Sequence, residues 1–288
     1  MILKQQYKQI LATPKPFVKW AGGKRQLISF LNENLPETFG TYYEPFLGGG
    51  ALLFHILIKK NGQKCSISDL NSDLVLAYTT IRDRVDELIS SLKSHEKNYQ
   101  KDSKSYYYSV RDTNPRSEIE KTSRLIFLNR TCFNGLYRVN KKGKFNVPLG
   151  KYTNPNIVNE ENLHSVSTIL QSSRVSIKCR DFEAVLRDAK KGDLVYFDPP
   201  YQPVSETANF TSYTNKNFTF DDLSRLVELC MKLDSKGCKV LLSNSDSKQV
   251  SDMFAKRPWK VSKIQANRSI NSNSKKRTGH FELLIKNY

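Results

Sequence analysis

Asp198-Pro199-Pro200-Tyr201 follows directly on the apolar run Leu194-Val195-Tyr196-Phe197. A carboxylate and a proline-stiffened backbone therefore stand where a buried strand would end. That arrangement suits chemistry on an exocyclic aromatic amine, a poor nucleophile because its lone pair is delocalised into the ring. The Asp198 carboxylate and the Pro199 carbonyl would each accept one of the two N–H bonds, favouring a pyramidal nitrogen whose lone pair faces a methyl donor. Pro200 adds rigidity, and Tyr201 offers a ring on which an extruded base can stack. A plain turn at a strand end is the alternative reading of these four residues.

A second run, Glu44-Pro45-Phe46-Leu47-Gly48-Gly49-Gly50, passes from strand-like residues into glycines and then into an apolar helical stretch. Glycines let a backbone approach a ligand closely, and a helix start offers unpaired N–H groups. Asp69 ends the next strand-like run, Cys65–Ser68, about 20 residues beyond the glycines, where an acidic side chain can accept from a ribose hydroxyl. Together the two favour nucleoside binding over an ordinary tight turn. Asp181-Phe182 follows a further strand-like run and either flanks an adenine or caps a helix. Near the N-terminus, Lys19-Trp20-Ala21-Gly22-Gly23-Lys24-Arg25 imitates a phosphate loop without its first glycine or its following Ser or Thr. Lys24 beside paired glycines suits a carboxylate; the alternative is a basic surface turn around a half-buried Trp20.

Positioning these groups requires strands at 42–46, 65–68, 175–178, 194–197, 239–243 and 281–285. Helices at 51–60, 182–190, 220–235 and 246–256 alternate with them. Such alternation predicts an α/β fold with a doubly wound, mainly parallel sheet and ligands at the strand carboxyl ends. Between 71 and 159 the alternation breaks into long polar helical stretches. This predicts an inserted, mainly helical domain interrupting a catalytic domain of residues 1–70 and 160–288. Inside the insertion, 136–140 and 144–148 flank Lys141-Lys142-Gly143, a β-hairpin turn with Gly for positive φ. A basic hairpin of this kind can enter a DNA groove. The Ser-, Asn- and Lys-rich run 267–278 reads as a mobile basic loop.

Composition narrows the partner. The 288 residues carry a formal charge of +18, the footprint expected of a protein that meets a polyanion. Five cysteines without C-x-x-C spacing and four scattered histidines suggest neither a disulfide framework nor a zinc site, so no metal is expected. No apolar run is long enough to span a bilayer, and a soluble cytoplasmic protein without membrane partners is expected.

In this order, glycine motif, inserted domain and D-P-P-Y, the chain resembles the Dam-type (D12 class, alpha-group) DNA adenine-N6 methyltransferases from Phe17 to Tyr288. The resemblance implies a Rossmann-like class I methyltransferase sheet and S-adenosylmethionine as cofactor. It also implies transfer to N6 of a flipped adenine in double-stranded DNA, with residues 71–159 as the target-recognition domain. Catalysis would rest on Asp198, Pro199, Pro200 and Tyr201. Cofactor contacts would come from the segment Trp20, Ala21, Gly22, Gly23 and Lys24 and from Glu44, Pro45, Phe46, Gly48 and Gly50. Asp69, Asp181, Phe182 and Asp198 complete that set. Asn134-Gly135-Leu136-Tyr137-Arg138 and Phe145-Asn146-Val147-Pro148-Leu149-Gly150-Lys151-Tyr152 look like the family's DNA-reading hairpin. They imply contacts from Phe133, Asn134, Leu136, Arg138, Pro148 and Lys151 and suggest GATC as the site. Arg138 matches a guanine-reading position, with a phosphate contact as its alternative. A monomer is expected, and a restriction endonuclease of the same specificity is a candidate functional partner. Rival readings are an N4-cytosine or glutamine-amide methyltransferase, whose tetrapeptides more often begin with Ser or Asn, and a non-catalytic DNA-binding regulator.

Overall fold

A computed structural model of the chain describes residues 12–20, 22–140, 142–200, 218–255, 258–266 and 280–288. Ala21, Lys141, Tyr201 and the 267–278 run lie outside the described residues. After α1 (Ile28–Glu33) come β1 (Tyr42–Glu44), α2 (Ala51–Lys59) and β2 (Cys65–Asp69). Four consecutive helices follow: α3 (Ser72–Asp83), α4 (Val85–Lys101), α5 (Ser103–Asp112) and α6 (Glu118–Thr131). The chain re-enters the sheet through α7 (Glu160–Ser172), β3 (Val175–Cys179), α8 (Val185–Asp188) and β4 (Leu194–Phe197). It finishes with α9 (Phe220–Ser235), β5 (Lys239–Ser245), α10 (Lys248–Met253), β6 (Lys260–Ala266) and β7 (His280–Lys286).

The strands form one sheet in the order β3-β2-β1-β4-β5-β7-β6. β3, β2, β1, β4 and β5 run parallel, and β7 is antiparallel to both β5 and β6. This is the class I methyltransferase fold. Strand order reverses between β1 and β4, which places a crevice at their carboxyl ends. Successive side chains on a strand point to opposite faces, and the core divides accordingly. Tyr42, Leu194, Tyr196, Leu241 and Leu284 pack on one face with α2, α3, α4, α6 and α7, while Tyr43, Val195, Phe197, Leu242 and Ile285 pack on the other with α9. Hydrophobic on both sides, the central strands read as continuous apolar runs, as buried parallel strands must.

Local chemistry sets the boundaries. β1 stops at Glu44 rather than at 46, because Pro45 has no N–H to offer the ladder. Capping boxes start α6 at Ser117/Glu120 and α9 at Thr219/Asp222, and Ser247 starts α10 by accepting from the Val250 N–H. The helix expected over 182–190 is only a 3-10 turn, Phe182–Ala184, followed by the single turn of α8. It ends before Gly192, whose φ of 84° suits a turn and not a helix. β6 is absent from the sequence expectation because its residues, Lys260-Val261-Ser262-Lys263-Ile264-Gln265-Ala266, are too polar to read as a core strand. It lies at the sheet edge, where lysines discourage pairing with other chains. The expected hairpin is present as isolated antiparallel bridges, Cys132↔Leu149 and Val139↔Phe145, and not as a continuous ladder. Asn134 and Gly135, with φ of 54° and 65°, curl one arm away from its partner. Among the described residues no helix is long and apolar enough to cross a membrane.

Candidate active site

The glycine turn after β1 takes its shape from two left-handed residues, Gly48 (φ 49°) and Gly50 (φ 67°). At Gly50 a Cβ would come 2.5 Å from the Tyr78 hydroxyl oxygen, and at Gly48 it would come 3.0 Å from Trp20 Cδ1. Both positions therefore exclude side chains twice over, by conformation and by space. Asp69, at the carboxyl end of β2, holds this turn: its Oδ2 accepts from the Gly48 N–H at 3.0 Å and its Oδ1 from the Asn71 N–H at 2.9 Å. Burial raises the Asp69 pKa, and the backbone N–H groups oppose that shift. The Tyr78 hydroxyl donates to the Gly48 carbonyl, fixing the turn from below. Asp69 and the glycine turn are thus one unit.

Asp198, one residue beyond β4, faces Lys24, whose Nζ lies 2.8 Å from its Oδ1. Lys24 is 4% exposed, an unusual depth for a lysine, and its ammonium also donates to the Gly22 carbonyl. A second carboxylate, Glu282 on β7, stands 3.5 Å from Lys24 Nζ and makes no hydrogen bond through its buried Oε2 among the described residues. Burial pushes the Asp198 pKa up to about 6; the Lys24 charge and hydrogen bond pull it down, and Glu282 adds a smaller upward push. Two carboxylates around one buried ammonium leave the cluster with surplus negative charge, suited to a ligand that brings positive charge.

Beneath the turn, Glu44 is 3% exposed and accepts from the Tyr42 hydroxyl at 2.8 Å. Burial lifts its pKa to about 8 against the opposing Tyr42 bond, so it is largely protonated at neutral pH. An aromatic wall adjoins the turn: Phe46 stacks on Phe182 with ring centres 5.2 Å apart, and Phe218 meets Phe46 edge-on at 5.9 Å. Asp181 caps the turn at Phe182 by accepting from the Glu183 N–H at 3.0 Å, and it pairs with Arg225 at 3.1 Å. Arg225 also lies over the Phe182 ring at 4.9 Å.

Trp20 joins this crevice to the hairpin segment that follows α6, since its ring lies 5.2 Å from that of Tyr137. Around Tyr137, Phe133, Pro148 and Lys151 are exposed and Asn134, Leu136 and Arg138 half-buried. The two arms are held by the Phe133 N–H to the Pro148 carbonyl at 2.8 Å and the Asn146 N–H to the Arg138 carbonyl at 3.0 Å. The Arg138 guanidinium donates through Nε to Asn146 Oδ1 at 2.7 Å and through a terminal nitrogen to the Asn146 carbonyl at 3.3 Å.

The structure thus gathers Trp20, Gly22, Lys24, Gly48, Asp69 and Asp198 about the strand carboxyl ends, with Phe46 and Phe182 stacked beside them. Glu44 lies under the turn, bonded within the core, and the 133–151 residues form a separate, contiguous face. Sequence reasoning missed Glu282, Phe218 and Arg225. Glu282 carried a legible signal, a lone acid inside the apolar strand His280-Phe281-Glu282-Leu283-Leu284-Ile285.

A family model described as D12 class N6 adenine-specific DNA methyltransferase matches residues 20–270. A type II methyltransferase of Methanocaldococcus jannaschii is 45% identical over 95% of this chain and 99% of its own length. A second type II methyltransferase, from Lactococcus lactis subsp. cremoris, is 41% identical over 95% of each chain. The DNA adenine methylase of Escherichia coli strain K12 is 31% identical over 94% of each chain.

Proposed function

Because the chain belongs to the D12 class of N6 adenine-specific DNA methyltransferases, we propose that it methylates adenine in GATC duplexes with S-adenosylmethionine as donor, the target base being flipped from the helix. The observation that carries the reading is Asp198 at the carboxyl end of β4, half-buried and held 2.8 Å from the buried Lys24 beside the Asp69 glycine turn. The donor fits the residues present. Asp69 offers a half-buried carboxylate for a ribose hydroxyl, Phe46 and Phe182 an aromatic wall for a purine, and the Lys24, Asp198 and Glu282 cluster a polar, net-negative recess for a cationic amino-acid group. When bound, S-adenosylmethionine supplies an electrophilic methyl group on a sulfonium centre.

The protein's own contribution is orientation and electrostatics. Lys24 engages one oxygen of Asp198, and a carboxylate has lone pairs enough to accept an amine N–H as well. With the Pro199 carbonyl taking the other N–H, the adenine amine is held pyramidal, its lone pair directed and its developing positive charge balanced. Residues 71–159 serve as the target-recognition unit, their 133–151 face reading the site through Arg138 and positioning the duplex through Lys151. The type II names of two relatives support pairing with a restriction endonuclease of the same specificity. Incubation of the purified protein with plasmid and methyl-tritiated S-adenosylmethionine, followed by mapping of modified bases, tests the reading. N6-methyladenine confined to GATC is expected; adenine methylation at another sequence would overturn the site assignment and leave the enzyme class standing.

A further inference from the structure

Asn129 sits in α6, fully buried, midway between the crevice and the hairpin. Its Oδ1 accepts from the Lys19 N–H at 2.7 Å, and its Nδ2 donates to the Lys19 carbonyl at 2.8 Å and to the Gly135 carbonyl at 3.0 Å. Both amide N–H bonds and the oxygen are engaged, so only an amide of this length satisfies the three backbone groups together. On one side, Lys19 precedes Trp20 and the segment that ends in Lys24. On the other, Gly135 precedes Leu136, Tyr137 and Arg138. The junction is close-packed, since a Cβ at Gly135 would come within 2.8 Å of Lys19 Cβ. Trp20 then closes a second bridge, its ring packing tilted against that of Tyr137.

A comparable clamp nearby lacks the second arm. Asn162 on α7 accepts from the Lys15 N–H at 2.9 Å and donates to the Lys15 carbonyl at 3.0 Å, anchoring the same N-terminal segment with no bond to the hairpin among the described residues. Anchoring alone therefore does not need Asn129.

We propose that Asn129 is a positioning residue that couples the cofactor crevice to the DNA-reading hairpin, so that occupation of either side biases the affinity of the other. The inference rests on the assignment of those two sides under the proposed function. Coupling of this kind is reciprocal and is carried by whatever element both sites bias. Asn129 is such an element, because it cannot follow the backbone of one side without straining its bond to the other.

The test is the affinity of the full-length protein for S-adenosylhomocysteine, measured by calorimetry with and without a saturating GATC duplex. For the natural protein the two dissociation constants should differ ~5-fold or more. Asn129→Asp keeps the acceptor for Lys19 but sets a carboxylate against two carbonyls, and should bring the difference to within ~2-fold. Gly135→Ala perturbs the same junction from the hairpin side and should do likewise, which decides the matter if Asn129→Asp does not fold. Asn162→Ala should lower the melting temperature yet keep the natural ratio. A natural ratio of one, a folded Asn129→Asp that retains the natural ratio, or an Asn162→Ala that loses it equally would overturn the inference. Failure of the natural protein to bind either probe would instead reject the parent reading, and the inference with it.

Discussion

At Asp198 the proposed reaction depends on a carboxylate that burial pushes toward its neutral form and Lys24 holds in its charged one. Asp198→Ala should lower single-turnover methyl transfer by about 10²–10³-fold, the usual effect of removing one oriented group at a site of developing charge, with the fold intact. The natural enzyme should lose activity below about pH 6, where the Asp198 carboxyl gains its proton. Asp198→Asn should show a low rate without that acid limb, and Lys24→Met should move the limb to higher pH because the stabilising ammonium is gone. An unchanged limb in Asp198→Asn would assign it to another group. Glu44 links its titration to stability. Its folded pKa, near 8, exceeds the unfolded carboxyl value, so the folded state binds the extra proton between about pH 4.5 and 8 and stability falls as pH rises through that window. Glu44→Gln lacks this proton. Its stability relative to the natural protein, measured by chemical denaturation, should therefore rise from pH 5 to pH 8, and a constant difference would show that Glu44 is ionised throughout.

Elements position these residues through a few backbone requirements. Gly50→Ala places a Cβ in a left-handed site against the Tyr78 hydroxyl, and about 2–4 kcal/mol of destabilisation is expected from conformation and overlap together. Adding Tyr78→Phe should return part of it in chemical denaturation, since the crowding oxygen leaves. On the hairpin, Arg138→Ala should relax discrimination at one guanine by about 1–3 kcal/mol, and Asn146→Ala, which frees the guanidinium without removing it, should have a smaller effect at the same base pair. Equal losses on every duplex would make Arg138 a phosphate contact. The strand β4 was legible because both its faces are buried and its run is continuously apolar, and β1, β2 and β5 because short apolar cores alternate with helical stretches. Asp69 and Asp198 were legible because they stand at the ends of such runs. β6 was not, since an edge strand carries little apolar signal, and the 182–190 helix was over-read because Lys190-Lys191-Gly192 ends it early. Glu282 escaped because its role depends on β7 lying beside Lys24, a neighbour far away in sequence that no periodicity reveals.

Across the whole molecule, the +18 charge predicts binding dominated by phosphate contacts. With about 6–10 such contacts, duplex affinity should fall ~10³–10⁵-fold between ~50 and ~200 mM salt, whereas base discrimination should persist. Fluorescence anisotropy on GATC and scrambled duplexes over that range measures both, and a flat salt response would remove the electrostatic account of binding. The position of β7 has a consequence for the birth of the enzyme. Among the described residues β6 pairs only with β7, β7 lies between it and β5, and Glu282 on β7 meets Lys24. The last strand in chain order is thus the one that seats its predecessor and completes the ion cluster. On the ribosome, every earlier segment emerges before the sheet can close. A nascent chain should therefore remain without methylating competence until residues 280–288 leave the exit tunnel.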